Sequence, residues 1–599
     1  MTESLLKYGR RETFRSQATA ATAATAAKSG ICGIRKSLTM SASFLFAWSM
    51  IAGVLVAQED SRDWPGSNDS LSQVKEINRL VKEMWTAYEI EPVQPAEDYE
   101  WCRRIYLDLL GRIPTVDELQ EFTNNKSEDR YEQLVDKLLD HDDYTEEYSR
   151  NWTTIWTNLL IGRTGGNNNN SMINRAGMQK YLRDSFARNK PYDRMVSELV
   201  TATGNVAPDA ESFNGATNFL IDKVNDENAS QATAAVSKIF LGLQVQCTQC
   251  HNHPFNKWEQ QKYWEMNAFF RQVRARGGRR AQMNGATSEL VDVDFRGESN
   301  NIQEAALFFD QRNGELKVAY PVFVDGTEIE RNGEVSRVNR RRELAKLMMG
   351  SEYLEKAMVN RMWAHFMGYG FTKPVDDLGP HNQPSNPELL AYLAAEFRDS
   401  GFDTRQLIRW IVLSRPYGLS SQMPKPKRKD ERLTDDPQAG TTPLFSRFYL
   451  RQMRVEELYE SLLVATRASE TQGTYEQQEQ RKNRWLQQFS QAFGTDEGDE
   501  TTSFAGTIPQ VLMMFNGELI RQATIDPGKN FLDRLVNDSS MSNKEKINYL
   551  FLAGLGRRAK SNEMQMAGQI YSGRNNNPKE AFQDLWWVIL NSNEFIFNH

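Results

Sequence analysis

The sequence predicts a mainly α protein: a multi-helical, two-domain protein with a small β-containing segment between the helical halves. Apolar residues recur every three or four positions in both halves, for example over residues 98–111 and 353–367, which is the spacing of a helix with one buried face. Within residues 276–340, segments such as 289–295 and 316–324 instead alternate apolar and polar side chains, which predicts short strands. A chain of 599 residues, 39% of them hydrophobic, is long enough for two such domains.

Residues 1–57 are typical of a signal peptide or N-terminal anchor. Basic residues precede residues 44–57, a run of 14 uncharged and mostly apolar residues. This run is shorter than a membrane-spanning helix requires, so it favours an export signal. We therefore expect an exported protein of the periplasm or cell envelope, which contacts a membrane only if the N-terminal segment stays uncleaved. Residues 58–97 are predicted to be a linker that contains one helix, at residues 71–88.

The first helical domain is predicted over residues 98–275. Gly111 is placed to end a helix, and Thr115 with Glu118 forms the pattern of a capping box for the next one. Further helices are predicted at residues 231–243 and 258–271. Two of the chain's four cysteines lie between these last two helices, so we expect them in a turn that joins the two.

These two cysteines, Cys247 and Cys250, are followed by His251 and, after one more residue, by His253. Cys-x-x-Cys-His is the attachment pattern of a c-type haem, because two thiols can add to the haem vinyl groups while the adjoining imidazole binds the iron. The pattern predicts cofactor-binding roles for Cys247, Cys250 and His251. Three other interpretations stay open: a zinc or iron site that both cysteines form with His251 and His253, a disulfide, and a buried reduced pair.

After a short-strand connecting segment at residues 276–340, the second helical domain is predicted over residues 341–599. One pattern of the first domain returns here. Leu-Gly-Arg at residues 555–557 is followed six residues later by Glu563, just as Leu-Gly-Arg at residues 110–112 is followed by Glu118. The glycine would end one helix and the glutamate would lie early in the next, so we expect both copies to be structural.

A turn-rich loop at residues 368–382 joins two predicted helices of the second domain. Loops that rigid helices hold in place often carry function. Asp376, Asp377 and His381 could bind a cation there or act as acid/base groups. A turn-forming or capping role for the two aspartates is the competing interpretation.

Composition and motifs narrow the classes of function. The net charge of −7 gives no support to nucleic-acid binding, which relies on basic surfaces. No Ser-His-Asp pattern, phosphate-binding loop or metalloprotease helix is visible in the sequence. Hydrolase chemistry therefore has little support, and whether the chain is an enzyme stays open.

Longer motifs make the chain resemble a known family. They are YLDLLGRIPTVDE at residues 106–118, the segment around the cysteines at residues 240–270, and VNRMWAHFMGYGFTKPVDDLGPHNQPSNPELL at residues 359–390. With these motifs, the chain resembles exported planctomycete proteins that pair a planctomycete cytochrome C-like domain with a planctomycete-specific C-terminal domain, both of unknown function. The resemblance implies a cytochrome-type role for Cys247, Cys250 and His251.

We therefore predict an exported protein with one haem c, which works in electron transfer or as the redox module of an unidentified process. Its partner would be an unknown redox or envelope protein. The candidates for a second axial ligand of the iron are Met266, Met283, His365 and His381. Two alternatives remain: an enzyme that binds zinc or non-haem iron at the Cys/His motif, and a structural or binding protein of the cell envelope.

Overall fold

Helices make up most of the computed structural model, so the predicted mainly α fold is confirmed. The structure describes residue 66 and residues 71–166, 171–225, 228–254, 258–277, 287–424, 434–467, 473–493 and 531–599. The predicted signal peptide or anchor at residues 1–57 lies outside the described residues, as does Met283. Among the helices that are described, none is long and apolar enough to cross a membrane.

The first half of the chain is a run of helices joined by turns. They are α1 (Ser72–Ala87), α2 (Asp98–Leu110), α3 (Val116–Asn124), α4 (Arg130–Asp140), α5 (Asp142–Ile161), α6 (Arg175–Ala187), α7 (Tyr192–Thr201), α8 (Ser230–Leu241) and α9 (Gln260–Asn267). Helix α5 packs against α2, α4 and α6. Its buried Trp152 and Trp156 rings lie 6.3 and 6.2 Å from the ring of Phe186 on α6. Aromatic packing around α5 therefore forms the centre of the first-half core.

The second half adds a further run of helices. They are α10 (Arg340–Met349), α11 (Glu352–Met367), α12 (Pro387–Asp399), α13 (Thr404–Val412), α14 (Val455–Thr466), α15 (Tyr475–Phe493), α16 (Phe531–Asn537), α17 (Asn543–Leu555), α18 (Ser561–Gly573), α19 (Pro578–Leu590) and α20 (Asn593–Ile596). Helix α11 packs against α12 and α13, and also against α8 of the first half. It therefore joins the second half to the helix that leads into the cysteine motif.

Short antiparallel strands lie mostly between the two helical halves, as predicted. They are β1 (Gly204–Asn205), β2 (Val273–Arg276), β3 (Glu289–Asp292), β4 (Leu307–Asp310), β5 (Leu316–Ala319), β6 (Arg451–Gln452) and β7 (Phe597–Asn598). They form a three-stranded sheet in the order β1-β3-β2 and the pairs β4-β5 and β6-β7.

Helix α3 begins with the predicted capping box. The Thr115 side chain accepts a hydrogen bond from the backbone N–H of Glu118 at 3.2 Å, and the Glu118 carboxylate accepts one from the N–H of Thr115 at 2.7 Å. Gly111 ends α2, as predicted, with a φ of +71°. Residues with a side chain rarely adopt this conformation, and a Cβ here would lie 2.5 Å from the Asn151 side chain.

The two Leu-Gly-Arg patterns form the same clip at opposite ends of the chain. Arg112 donates two hydrogen bonds to Glu118, at 2.8 and 2.9 Å. Arg557 donates two to Glu563, at 2.8 and 2.7 Å. In each copy the guanidinium also lies over an aromatic ring of the preceding helix, Tyr106 in the first and Phe551 in the second. The prediction that both Leu-Gly-Arg patterns are structural is therefore confirmed.

Helix α1 lies within the segment predicted as a linker, and it packs against α12 of the second half. Its side chains Val74, Ile77 and Val81 are fully buried. Trp85 Nε1 donates a hydrogen bond to the Leu444 carbonyl oxygen at 2.8 Å. This segment therefore contributes to the core of the molecule.

Two buried arginines of α2 find their partners in the second half. Arg103 donates to the carbonyl oxygens of Gly554 and Phe595, at 2.8 and 2.7 Å. Arg104 donates to the Leu419 carbonyl oxygen at 3.0 Å. Both side chains are fully buried, so these carbonyl groups take the place of water around the charges.

Asp108, one turn further along α2, supplies the matching negative charge and is also fully buried. Its carboxylate accepts hydrogen bonds from the Tyr417 hydroxyl and the Asn598 amide, both at 2.7 Å, and it forms an ion pair with Arg451. All of these partners belong to the second half. Consistent with this, Ser61–His599 form one compact unit.

We expect Arg112→Met to lower the free energy of unfolding by about 3 kcal/mol, because it leaves the largely buried Glu118 carboxylate without its cation. Arg112→Lys should cost less, since it keeps the charge and loses the paired geometry. Urea denaturation followed by tryptophan fluorescence measures both changes. The matched variant Arg557→Met should act in the same direction, and an unchanged midpoint for Arg112→Met would contradict the clip's role.

Acidification should destabilise the protein through His365. Burial, together with the Arg454 cation, lowers the pKa of this imidazole well below its usual 6.5. The folded protein keeps His365 neutral while the unfolded chain takes up a proton, so stability falls as the pH drops below about 6.5. Burial also lowers the pKa of His599, to about 4, which adds to the same trend.

Thermal unfolding at a series of pH values from about 7 to about 5 measures this dependence. His365→Phe keeps an aromatic ring against Trp152 and Phe366 and removes the titrating group, so the melting temperature should fall less steeply with acid. A variant with the wild-type slope would show that other groups cause it.

Candidate functional site

The cysteine motif lies on a short 3-10 turn, Gln246–Gln249, soon after α8 ends. Cys247 is in this turn and Cys250 follows it; both thiols are free and both residues are exposed. Thr248 between them is fully buried, and its hydroxyl donates to the Val245 carbonyl oxygen at 2.6 Å. The buried threonine therefore anchors the turn and leaves both thiols accessible.

The chain beyond the cysteines is tied to the start of α9. The backbone N–H of His253 donates to the Trp258 carbonyl oxygen at 2.7 Å. The Asn252 side chain accepts from the N–H of Gln260 at 2.9 Å, and the Gln260 amide donates to the Gln249 carbonyl oxygen at 3.1 Å. The motif thus lies between two helices, as predicted, although α8 ends two residues before, and α9 begins two residues after, the predicted bounds.

His251 is held in one tautomer by its neighbour. Its Nδ1 lies 2.6 Å from the carbonyl oxygen of Asn252, which can only accept a hydrogen bond. Nδ1 therefore carries the proton, and Nε2 carries the lone pair that could bind a metal. Imidazoles that ligate metals commonly donate their other N–H in this way.

The loop at residues 368–382 reaches the motif from the second half. The Asp376 carboxylate accepts a hydrogen bond from the Gln244 amide at 2.6 Å and pairs with the Lys238 ammonium at 2.9 Å. The N–H of Leu378 donates to the Gly242 carbonyl oxygen at 2.7 Å. Asp376 is buried, so the loop is fastened to the end of α8 immediately before the cysteines.

Two histidines lie close together here, one from the segment of the cysteine motif and one from the loop of the second half. The rings of His253 and His381 have centroids 5.1 Å apart. His381 Nε2 lies 3.1 Å from a carboxylate oxygen of Asp377. All three residues line a pocket with about 250 Å³ of empty space, part of it open to solvent, together with Thr248 and Trp258.

The surroundings of His253 favour the neutral form of its imidazole. Partial burial and the neighbouring His381 imidazole lower the pKa of His253 below its usual 6.5, while the Asp377 carboxylate acts in the opposite direction. A neutral imidazole retains the lone pair that a metal ion requires.

Contacts within the loop itself also fix its conformation. Asp377 Oδ1 accepts a hydrogen bond from the N–H of Gly379 at 3.0 Å, which is the turn-forming role considered for the aspartates. A Cβ at position 379 would lie 2.8 Å from His381 Nδ1, so glycine leaves room for the ring beside Asp377. On its other side, the fully buried Asn360 of α11 donates to the Val375 carbonyl oxygen at 2.8 Å.

The structure separates the other candidate ligands from this pocket. His365 is partly buried, its ring centroid lies 5.0 Å from that of Trp152, and its Nε2 lies 3.4 Å from the Asp108 carbonyl oxygen. Met266 is fully buried on α9. Across the described ranges, no three His, Cys, Asp or Glu side chains are arranged to hold a metal ion.

Sequence reasoning missed the residues that fasten the loop. Lys238 and Gln244 carry no local signal, because Gln244 and its partner Asp376 are 132 positions apart. Asn360 does carry a local signal. It is a polar residue in an apolar stretch of α11, where the nearby Val359 and Met362 are buried. A polar residue there predicts a buried hydrogen-bonding role.

Fold and site together define a mainly α protein in which an exposed Cys-x-x-Cys-His motif faces a loop of the second half. Two family models match the chain: PSCyt2, described as "Protein of unknown function (DUF1549)", at residues 76–275, and PSD1, "Protein of unknown function (DUF1553)", at residues 340–571. The chain belongs to the proteins that pair these two domains, which confirms the predicted resemblance. No match was found among curated proteins or solved structures.

We expect Asp376→Ala to loosen the loop, because it removes the acceptor of Lys238 and Gln244. Hydrogen exchange of the Leu378 amide should become at least about tenfold faster, since hydrogen bonds to a charged group contribute roughly 1.5–3 kcal/mol. Exchange mass spectrometry of the loop peptide measures this. Asp377→Asn keeps the fastening and is the matched control; equal exchange in the two variants would contradict the role of Asp376.

Proposed function

We propose that the chain carries a c-type haem on Cys247 and Cys250, with His251 as an iron ligand, and that it serves electron transfer or is the redox module of an exported process. The observation that carries this proposal is the arrangement of the motif itself. Both thiols are free and exposed, and the adjoining imidazole has its lone pair on Nε2. The cytochrome-like name of the matching family points in the same direction.

The residues present fit the attachment of a haem. Thr248 anchors the turn from inside, and both free thiols belong to exposed residues that a haem could reach. When bound, the haem would supply one-electron chemistry at a potential set by its axial ligands and burial.

The N-terminal sequence supports the proposed location of the protein outside the cytoplasm. Covalent attachment of haem takes place outside the cytoplasm, and residues 1–57 have the features of an export signal or anchor. The proposed location is the periplasm or cell envelope. The proposed partner is a redox or envelope protein, because a net charge of −7 does not favour nucleic acid.

A second candidate is a non-haem zinc or iron enzyme that uses Cys247, Cys250, His251 and His253. The observation that favours it is the position of His253, which lines the pocket with its ring centroid 5.1 Å from that of His381. Thiolate and imidazole together suit zinc or iron.

The first experiment separates these candidates. The full chain is expressed with periplasmic c-type maturation machinery, and a pyridine haemochrome spectrum of the denatured protein is recorded beside a metal analysis. We expect a c-type spectrum and haem that stays with the chain on a denaturing gel, both lost in Cys247→Ala. Cys102→Ala is the matched control, because this buried thiol lies in α2, away from the motif.

Other outcomes count against the haem proposal. About one zinc or iron per chain without haem, lost in His253→Ala, would support the second candidate. Neither cofactor would favour a structural or binding protein of the cell envelope.

A further inference from the structure

Arg447 of the second domain carries a buried positive charge that its surroundings leave without a counter-ion. The residue is 5% exposed, and its guanidinium lies over the Tyr449 ring, 4.9 Å from the ring centroid. Its Nε is buried without a hydrogen-bond partner, and across the described ranges the side chain forms neither a hydrogen bond nor an ion pair. A charge removed from water is costly unless other polar groups replace the water, and a bound anion can do so.

Other buried arginines of the chain do have such groups. Arg340 is fully buried, and its guanidinium donates hydrogen bonds to the carbonyl oxygens of Ala268, Ala305 and Arg331, at 3.1, 3.1 and 2.8 Å. In Arg340 the protein itself therefore satisfies the charge. Arg447 differs because its ring contact leaves the hydrogen-bonding capacity of the guanidinium unused.

The two acidic residues that precede this segment are engaged elsewhere. The buried Asp435 carboxylate accepts hydrogen bonds from the N–H groups of Leu444 and Ser446, at 3.1 and 3.0 Å, and from the Ser446 hydroxyl at 2.6 Å. Asp436 accepts one from the N–H of Ala439 at 3.4 Å. Both carboxylates therefore order the backbone of their own segment.

A second cation lies beside the same aromatic rings. Tyr369 meets Tyr449 edge-on, with ring centroids 5.1 Å apart, and the exposed Lys373 places its Nζ 5.7 Å from the Tyr369 centroid. Burial raises the pKa of Tyr369, the Asp436 carboxylate acts in the same direction, and the Arg447 cation acts against both. Two cations therefore lie close to one pair of tyrosine rings.

We propose that Arg447 and Lys373 form a binding site for the oxyanion of a free small molecule, a phosphate or carboxylate group, with Tyr369 and Tyr449 as its aromatic wall. The planar guanidinium matches either group with two parallel hydrogen bonds, and the lysine adds a flexible charge. All four residues belong to the second domain, and none lines the pocket beside the cysteine motif. The site is therefore independent of any cofactor held there.

Isothermal titration of the full chain with inorganic phosphate, and separately with acetate, tests the site at constant ionic strength. We expect saturable binding of at least one anion. Arg447→Met should weaken it at least about tenfold, because it removes charge-assisted hydrogen bonds. Lys373→Gln should weaken it about two- to fivefold, since this side chain is exposed. Arg331→Met is the matched control, because Arg331 lies over the Tyr320 ring in the segment between the domains.

Thermal unfolding separates a binding role from a structural one. Without added phosphate or acetate, Arg447→Met should melt no lower than the wild type, because the substitution removes an uncompensated buried charge and keeps an apolar side chain on the Tyr449 ring. The bound anion should raise the melting temperature of the wild type only. A variant that melts lower without anion would assign Arg447 to the core and overturn the proposal.

The titrations decide the rest. Binding of phosphate alone would assign a phosphoryl ligand, and binding of acetate alone a carboxylate. No binding by the wild type, or equal affinity in Arg447→Met, overturns the site. Lys373→Glu serves if Arg447→Met does not fold, because this exposed position tolerates substitution; an unchanged affinity there would also overturn it.

Discussion

The buried charges of α2 are the constraint on which the arrangement of the two domains depends. Removing an ionised group from water costs several kcal/mol unless it is paired or hydrogen-bonded. Arg103, Arg104 and Asp108 are all fully buried, and their side chains bond across to groups of the second half. The first half could not keep this helix buried and its charges satisfied without the second. The two domains that the family models match therefore form one structural unit in this chain.

The packing of the two domains brings a polar loop of the second domain to the cysteine motif of the first. Helix α11 packs on α8, and α8 leads directly into the motif. At that point the buried Asp376 carboxylate meets the Lys238 ammonium and the Gln244 amide. A buried carboxylate is costly unless it is satisfied, so this contact favours one position of the loop. The pocket beside the motif is a consequence of domain packing.

The sequence alone predicts those features of the fold that depend on residues close together along the chain. The Thr115–Glu118 capping box, the end of α2 at Gly111 and the repeated Arg–Glu clip all depend on residues within a few positions of each other. The meeting of His253 with His381 could not be predicted, because it depends on packing between segments more than a hundred residues apart. For the same reason, Asp376 and Asp377 looked equivalent in sequence, yet one binds the other domain and the other turns the loop.

The placement of the histidines bears on what counts as the functional unit. His365 has the chemistry of a ligand, but it packs against the buried ring of Trp152, away from the pocket. His381 has the same chemistry and lines a pocket to which Thr248 and His253 of the motif segment also contribute. That pocket is built from residues of both domains. A fragment limited to residues 98–275 would keep the Cys-x-x-Cys-His motif and lose the loop that faces it, so the site should be studied in the whole chain.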